Sequence, residues 1–196
     1  MVVAVLQGSE RSERMGDRAA KWVIAQLEAR GHEAVLVDAG ALDLPILNKM
    51  WKELKGSDAK EDAALKAKLQ PLAELYARAD GFAVVSGEYN HSVPPGLTNL
   101  IDYFLQEYFF RPSAIVCYST TPFGGVRAAM QLRTLLPEVG LPTIPSLQPI
   151  ASIGASLSEE GVALTQDLAE KSGKFFDEFD WYMKAFKLGR AAGVPY

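Results

Sequence analysis

Residues 80–104 read DGFAVVSGEYNHSVPPGLTNLIDYF, and three physical patterns follow one another within them. Residues 82–85 are unbroken apolar, as a strand covered on both faces requires. From Ser86 to Pro95 the chain turns polar around Gly87, Asn90 and two prolines, which ends the strand in a shaped loop. From Gly96 onward Leu97, Leu100, Ile101 and Phe104 fall on one helical face. Buried strand, stiffened loop and helix form the repeating unit of a parallel α/β sheet, and the loop is where such a sheet places its ligand.

Working outward, the same alternation recurs. Residues 2–6 form a first strand, followed by a polar loop to Gly16. Asp17 is placed to cap a helix with Ala20, Val23, Ile24 and Leu27 inward and Gly31 at its end. Residues 34–37 form the second strand, and 44–57 read as an extended surface loop. Leu65, Leu69, Leu72, Leu75 and Tyr76 give 58–79 a helical face, with Pro71 expected to kink it or to start a second segment. The helix after the quoted loop is expected to reach about Tyr108. A fourth strand at 114–118, a helix to Leu136 and a fifth strand at 147–153 follow, and Ser158 with Glu160 is placed to cap a last helix. Five such alternations predict a doubly wound five-stranded parallel sheet in three α/β/α layers.

No linker or repeat divides the chain, so residues 1–157 are expected to form one domain and 158–196 a helical extension. In that extension Leu168, Ser172, Phe175, Phe176, Phe179, Met183 and Phe186 share a face, read as packing on the domain or on a partner subunit. A hydrophobic fraction of 48% against 22% charged residues is that of a globular chain rather than a disordered one. A net charge of -4 supplies no basic field, which argues against nucleic acid. No run is apolar and long enough to span a bilayer, and the first residues lack the basic segment of a signal peptide. The expectation is a cytoplasmic protein without membrane partners. The single Cys117 permits no internal disulfide and reads as core, and with only His32 and His91 no metal site is expected.

In a strand order 2-1-3-4-5 the first and third strands are neighbours, so their loops meet at the switch point and the 119–125 loop lies one strand further along. The first loop offers Ser9 and Ser12 hydroxyls, Arg11, Arg14 and the amides that open a helix, a fit for a phosphomonoester. It is neither a Walker loop nor a dinucleotide fingerprint. Its bland alternative is a solvated basic turn balanced by Glu10 and Glu13. In the second loop Tyr89 and His91 can pack on an aromatic ligand while Glu88 and Asn90 meet its polar edge. Alternatively Tyr89 covers the sheet end and Asn90 forms a turn. His91 has no nearby Ser, Cys or carboxylate to make a triad. The third loop brings Ser119, Thr120, Phe123 and the pair Gly124-Gly125, with Arg127 on the following helical turn.

Together these loops resemble the NADPH-dependent FMN reductase family of flavodoxin-like quinone, azo-dye and chromate reductases. The family's G-S-x-R stands here as Gly8-Ser9-Glu10-Arg11, with Arg14-Met15-Gly16 after it. Its P-E-Y-N-x-S-x-P-x-x-L-K-N-x-I-D stands as residues 87–102, with Gly87 for the usual Pro and Thr98 for the usual Lys. Gly124-Gly125-Val126-Arg127-Ala128 and Leu132-Arg133 match a third element. The resemblance implies FMN held through its phosphate by Ser9, Arg11, Arg14, Met15 and Gly16. It places the ring against Glu88, Tyr89, Asn90, His91, Ser119, Thr120, Gly124 and Gly125. Phe123, where the family has smaller residues, and Arg127 are implied on the substrate side. NADPH or NADH as co-substrate, a small-molecule electron acceptor and a homodimer or homotetramer are implied with them. The protein supplies no acid–base pair of its own, because the cofactor carries the chemistry. Two other functions share these loops on the same fold: an electron carrier or redox sensor without turnover, and a scaffold that binds no nucleotide.

Overall fold

The computed structural model describes residues 1–196. Five parallel strands form one sheet in the order β2-β1-β3-β4-β5: β1 (Val2–Gln7), β2 (Glu33–Asp38), β3 (Gly81–Gly87), β4 (Ser113–Tyr118) and β5 (Thr143–Ile150). The helices are α1 (Gly16–Glu28), the short α2 (Ala39–Leu42) and α3 (Trp51–Leu54), then α4 (Ala63–Arg78), α5 (Pro95–Asp102), α6 (Val126–Glu138), the short α7 (Ile153–Ser156) and α8 (Gln166–Ala192). The chain reverses its winding between β1 and β3, where Gln7 pairs with Val85. There the strand ends open a crevice between diverging loops.

Alternation along the strands makes two cores. Ala4, Leu6, Phe82, Val84, Ile115 and Cys117 face α3, α4, α5 and α6. Val3, Val5, Ala83, Val85, Ala114 and Val116 face α1 and α8. Both sets are buried, which is why the inner strands read as continuous apolar runs. Cys117 is fully buried, and burial pushes its thiol up to about 12, the state of a packing residue rather than a nucleophile.

Several local expectations are corrected. Helix α1 begins at Gly16 with Met15 before it and no side-chain cap; Asp17 lies in the first turn and accepts from Gln7 and Arg14 instead. Pro71 starts no second segment, because α4 runs through it. Its ring and the carbonyl of Ala67, which loses its donor, both lie on the solvent side. The surface loop at 44–57 contains α3, and Asn99 of α5 ties it down by accepting from Leu47 and donating to Pro45. The helix expected to reach Tyr108 ends at Asp102, with a separate short turn at Gln106–Tyr108. Strand β5 starts earlier and ends earlier than its expected span. Ser158 caps nothing helical: its Oγ accepts from the amides of Glu160 and Val162 in a turn, and α8 starts after Thr165.

In the larger core Tyr76, Phe82, Phe104 and Tyr108 pack edge to face or tilted at centroid distances of 4.8–6.3 Å. The phenol oxygens of Tyr76 and Tyr108 are buried there with no polar neighbour but each other, outside good hydrogen-bond geometry, and burial pushes both pKa values far up. An unpaired hydroxyl carries a desolvation cost with no bond to offset it. Tyr76→Phe is therefore expected to leave unfolding free energy within about 0.5 kcal/mol of the parent, or to raise it. A loss above about 2 kcal/mol in a urea titration would show that the hydroxyl has a partner.

Candidate active site

The three loops meet in one cleft of about 450 Å³ at the carboxyl ends of β1, β3 and β4, within the size range of small-molecule sites. Ser9, Arg11, Arg14 and Met15 form one side, Glu88 to His91 a second, and Ser119 to Thr121 with Phe123 and Arg127 a third.

The first loop keeps its donors unused. None of the backbone amides of Ser9 through Met15 donates within the protein, and they precede the N-terminus of α1. Arg11 is exposed and has no carboxylate within ion-pair distance. Glu10 does not neutralise it, because its carboxylate folds over Gly96 in the first turn of α5, where a Cβ would collide with it. The loop thus presents a free guanidinium and a row of amides to an anion. Arg14 differs. Its guanidinium donates to Asp38, to the Ser9 carbonyl at 2.7 Å and to Asp17 at 2.8 Å. The Asp38 hydrogen bond above all raises its pKa. Arg14 braces the loop from behind and has little left to offer a ligand.

The second loop is a two-residue hairpin. Tyr89 and Ser92 exchange backbone bonds of 3.0 and 2.9 Å, with Asn90 and His91 between them at φ 51° and 64°. This turn wants left-handed backbone at both central positions; Asn suits the first, whereas His at the second carries strain. Helix α6 steadies it, since Gln131 donates to the His91 carbonyl at 3.1 Å and accepts from Ser92 at 2.7 Å. Tyr89 turns back across the cleft, its hydroxyl 2.7 Å from the Ser9 Oγ. Glu88 faces the other way. Its carboxylate accepts from the amides of Arg127 and Ala128 at 3.1 and 3.4 Å and pairs with the Arg127 guanidinium at 3.2 Å. A cap that α6 lacks locally, at Gly125, is supplied from a different loop.

The third loop is held by its own hydroxyls. Ser119 Oγ donates to the Thr121 carbonyl at 2.8 Å, so Thr120 and Thr121 carry the more exposed polar edge. Gly125, at φ 77°, sits where a Cβ would strike the backbone of Tyr118. Gly124 faces away toward a neighbouring cavity, and Gly16 lies beneath the cleft rather than on its wall. Phe123 is 58% exposed, with the Arg127 guanidinium 4.6 Å above its ring.

Sequence reasoning missed Tyr118. This last residue of β4 lines the cleft, and a Cβ added at Gly16 or Gly87 would press on its phenol. Burial pushes that phenol up to about 12, against the opposing effect of a hydrogen bond with Ser9. It stays protonated at neutral pH. Gly87, where the related motif carries proline, leaves the room that Tyr118 fills. A glycine on each of two loops facing one aromatic strand end was the available signal.

A doubly wound sheet with an anion-ready loop and an aromatic, hydroxyl-lined cleft at its switch point defines a nucleotide-binding α/β protein. The model of the NADPH-dependent FMN reductase family matches residues 1–156, and the chain belongs to that family. It is 36% identical over 87 residues to a quinone reductase of Escherichia coli strain K12, which is 42% of this chain and 46% of that protein. The match thus spans about half the length of that relative. Over 183 residues it is 29% identical to an NAD(P)H-dependent FMN reductase of Schizosaccharomyces pombe, covering 90% of this chain and 88% of that one. Among solved structures, the flavoenzyme NAD(P)H:(acceptor) oxidoreductase FerB of Paracoccus denitrificans superposes with a TM-score of 0.72 at 25% identity, over 93% of this chain and 97% of that chain.

Proposed function

We propose that the chain is an FMN-dependent NAD(P)H oxidoreductase that delivers electrons to a small-molecule acceptor such as a quinone, free flavin, azo compound or chromate. The observation that carries this is the first loop, whose unpaired amides and free Arg11 face an aromatic and hydroxyl-rich cleft. That donor set fits a phosphomonoester joined to a planar ring. FMN held there would supply the hydride and electron-transfer chemistry.

The residues of the chain bind and orient. Ser9, Arg11 and the amides through Met15 take the phosphate, while Arg14 fixes the loop that presents them. Tyr89, Asn90, His91, Ser119 and Thr120 wall the ring site, with Tyr118 as a neutral donor at its floor. Gly16 and Gly125 act indirectly, leaving the room against Tyr118 that shapes the ring site, and Gly124 keeps the turn before α6. Glu88 acts indirectly by holding α6 and Arg127, and Phe123 narrows the substrate side. One cleft serves both half-reactions, so parallel double-reciprocal plots are expected; intersecting plots would rule out a shared site.

No helix is long and apolar enough to cross a membrane. With the net charge of -4, a cytoplasmic enzyme without nucleic-acid partners is proposed. A homodimer or homotetramer is proposed because Phe123, Val126 and Met130 leave an exposed apolar strip beside the cleft mouth. The visible spectrum of the purified protein, before and after anaerobic NADPH, tests the central reading. A flavin band that bleaches rapidly supports it. A flavin that stays oxidised would indicate a carrier or sensor instead, and failure to take up added FMN would refute the cofactor site.

A further inference from the structure

Helix α6 and the second loop are clasped at two levels. At the first, the Glu88 carboxylate accepts from the amides of Arg127 and Ala128. Gln131 stands one helical turn beyond Arg127 and reaches the hairpin itself. Its Nε2 donates to the His91 carbonyl at 3.1 Å, and its Oε1 accepts from Ser92 Oγ at 2.7 Å. Gln131 is not on the cleft wall, whereas Asn90 and His91 are. The backbone amides of those two residues donate to nothing within the protein, and both residues hold left-handed backbone. Two free donors on the cleft side of the turn are thus gripped from behind by one side chain of α6.

Strain at His91 is coupled to the direction of its amide. A two-residue hairpin has a second form, with left-handed backbone at its first position alone. That form would relieve His91, whose Cβ penalises the left-handed region, and Asn90 would keep the conformation it tolerates. It would also turn over the peptide between the two residues, reversing the His91 amide and putting the Asn90 carbonyl in its place. Two hydrogen bonds to His91 and Ser92 are of the size that offsets such strain. We propose that Gln131 is a positioning residue for the FMN ring, holding the strained turn in the form that presents its amides. This rests on the FMN-dependent reading and adds a residue outside the cleft that sets the surroundings of the ring. Amide donors favour the reduced ring, which carries more negative charge, over the oxidised one. Loss of their direction therefore weakens the reduced complex more and lowers the midpoint potential.

The test is the two-electron midpoint potential of bound FMN in the parent, in Gln131→Ala, in His91→Gly and in the double variant. FMN uptake by absorbance and urea unfolding of the FMN-free proteins are measured beside it. Gln131→Ala is expected to lower the potential by about 15–30 mV, the reduced form losing about three- to tenfold more affinity than the oxidised form. The urea midpoint should stay in place, because Gln131 is exposed. In the His91→Gly background the same substitution should shift the potential by less than about a third as much, since glycine holds a left-handed turn unaided. An unmoved potential in Gln131→Ala, an equal shift in both backgrounds, or a shift that comes with a lowered urea midpoint would overturn the proposal. A parent that binds FMN at a potential indifferent to Gln131 loses this role alone. A parent that takes up no FMN loses the oxidoreductase reading, and this role with it.

Discussion

Phe179→Ala is expected to lower unfolding free energy by about 3–5 kcal/mol, the range for truncating a buried aromatic ring. Phe179 is fully buried in the core that α8 shares with α1 and with Val3, Val5, Ala83 and Val85. It and Met183 lie where a Cβ at Gly81 would collide, so α8 rides directly on the start of β3. Phe176 adds an edge-to-face contact with Trp22 at 5.5 Å and the Arg30 guanidinium at 5.0 Å. Polar contacts hold the far end. Asp80 accepts from Lys187 at 3.0 Å and Arg190 at 2.9 Å, and His32 lies 2.7 Å from Asp180. Although the family match ends at residue 156, α8 packs on the same sheet face as α1. A urea midpoint lowered by roughly 1–2 M, at unchanged slope, is the expected reading. An unchanged midpoint would mean that α8 contributes nothing to the core.

The parts of this fold that could be read in advance are those fixed by local pattern. The run at 82–85, the change of period at Gly96 and the fivefold alternation predict a parallel sheet, and all five strands occur at or near the expected places. The aromatic face of α8 was visible as a stripe, with Phe186 only half-buried at its end. Where expectation failed, a tertiary partner decided. Pro145 and Pro149 obscured the extent of β5, which tolerates them because it is an edge strand with one side unpaired. Ser158 and Asp17 carry good capping chemistry, yet each found another acceptor role nearby. In the cleft, the three loops were recognisable, but the division of labour within them was not. Arg14 and Arg11 look alike in sequence until Asp38, distant in the chain, engages one of them. Glu88 likewise looks free until α6 is placed against it.

That difference between two arginines gives the second large effect. Arg11→Ala is expected to weaken FMN binding by about 2 kcal/mol, some thirtyfold, through loss of charge-assisted bonds to a phosphate. Because Arg11 is exposed and unpaired, thermal stability of the FMN-free protein should not move. Arg14→Ala should behave in the opposite way. It leaves Asp38, whose side chain is 12% exposed, without its bidentate partner, and it frees the Ser9 carbonyl. A loss of about 1–3 kcal/mol in the FMN-free protein is expected, with affinity falling only as far as the loop loosens. Fluorescence titration of FMN and urea unfolding of the FMN-free proteins separate the two. Unchanged FMN affinity in Arg11→Ala would remove the phosphate from the first loop. An affinity loss in Arg14→Ala at unchanged stability would mean that its guanidinium leaves Asp38 for the ligand. The pair of variants thus decides whether the charge that meets the phosphate is the free arginine or the braced one.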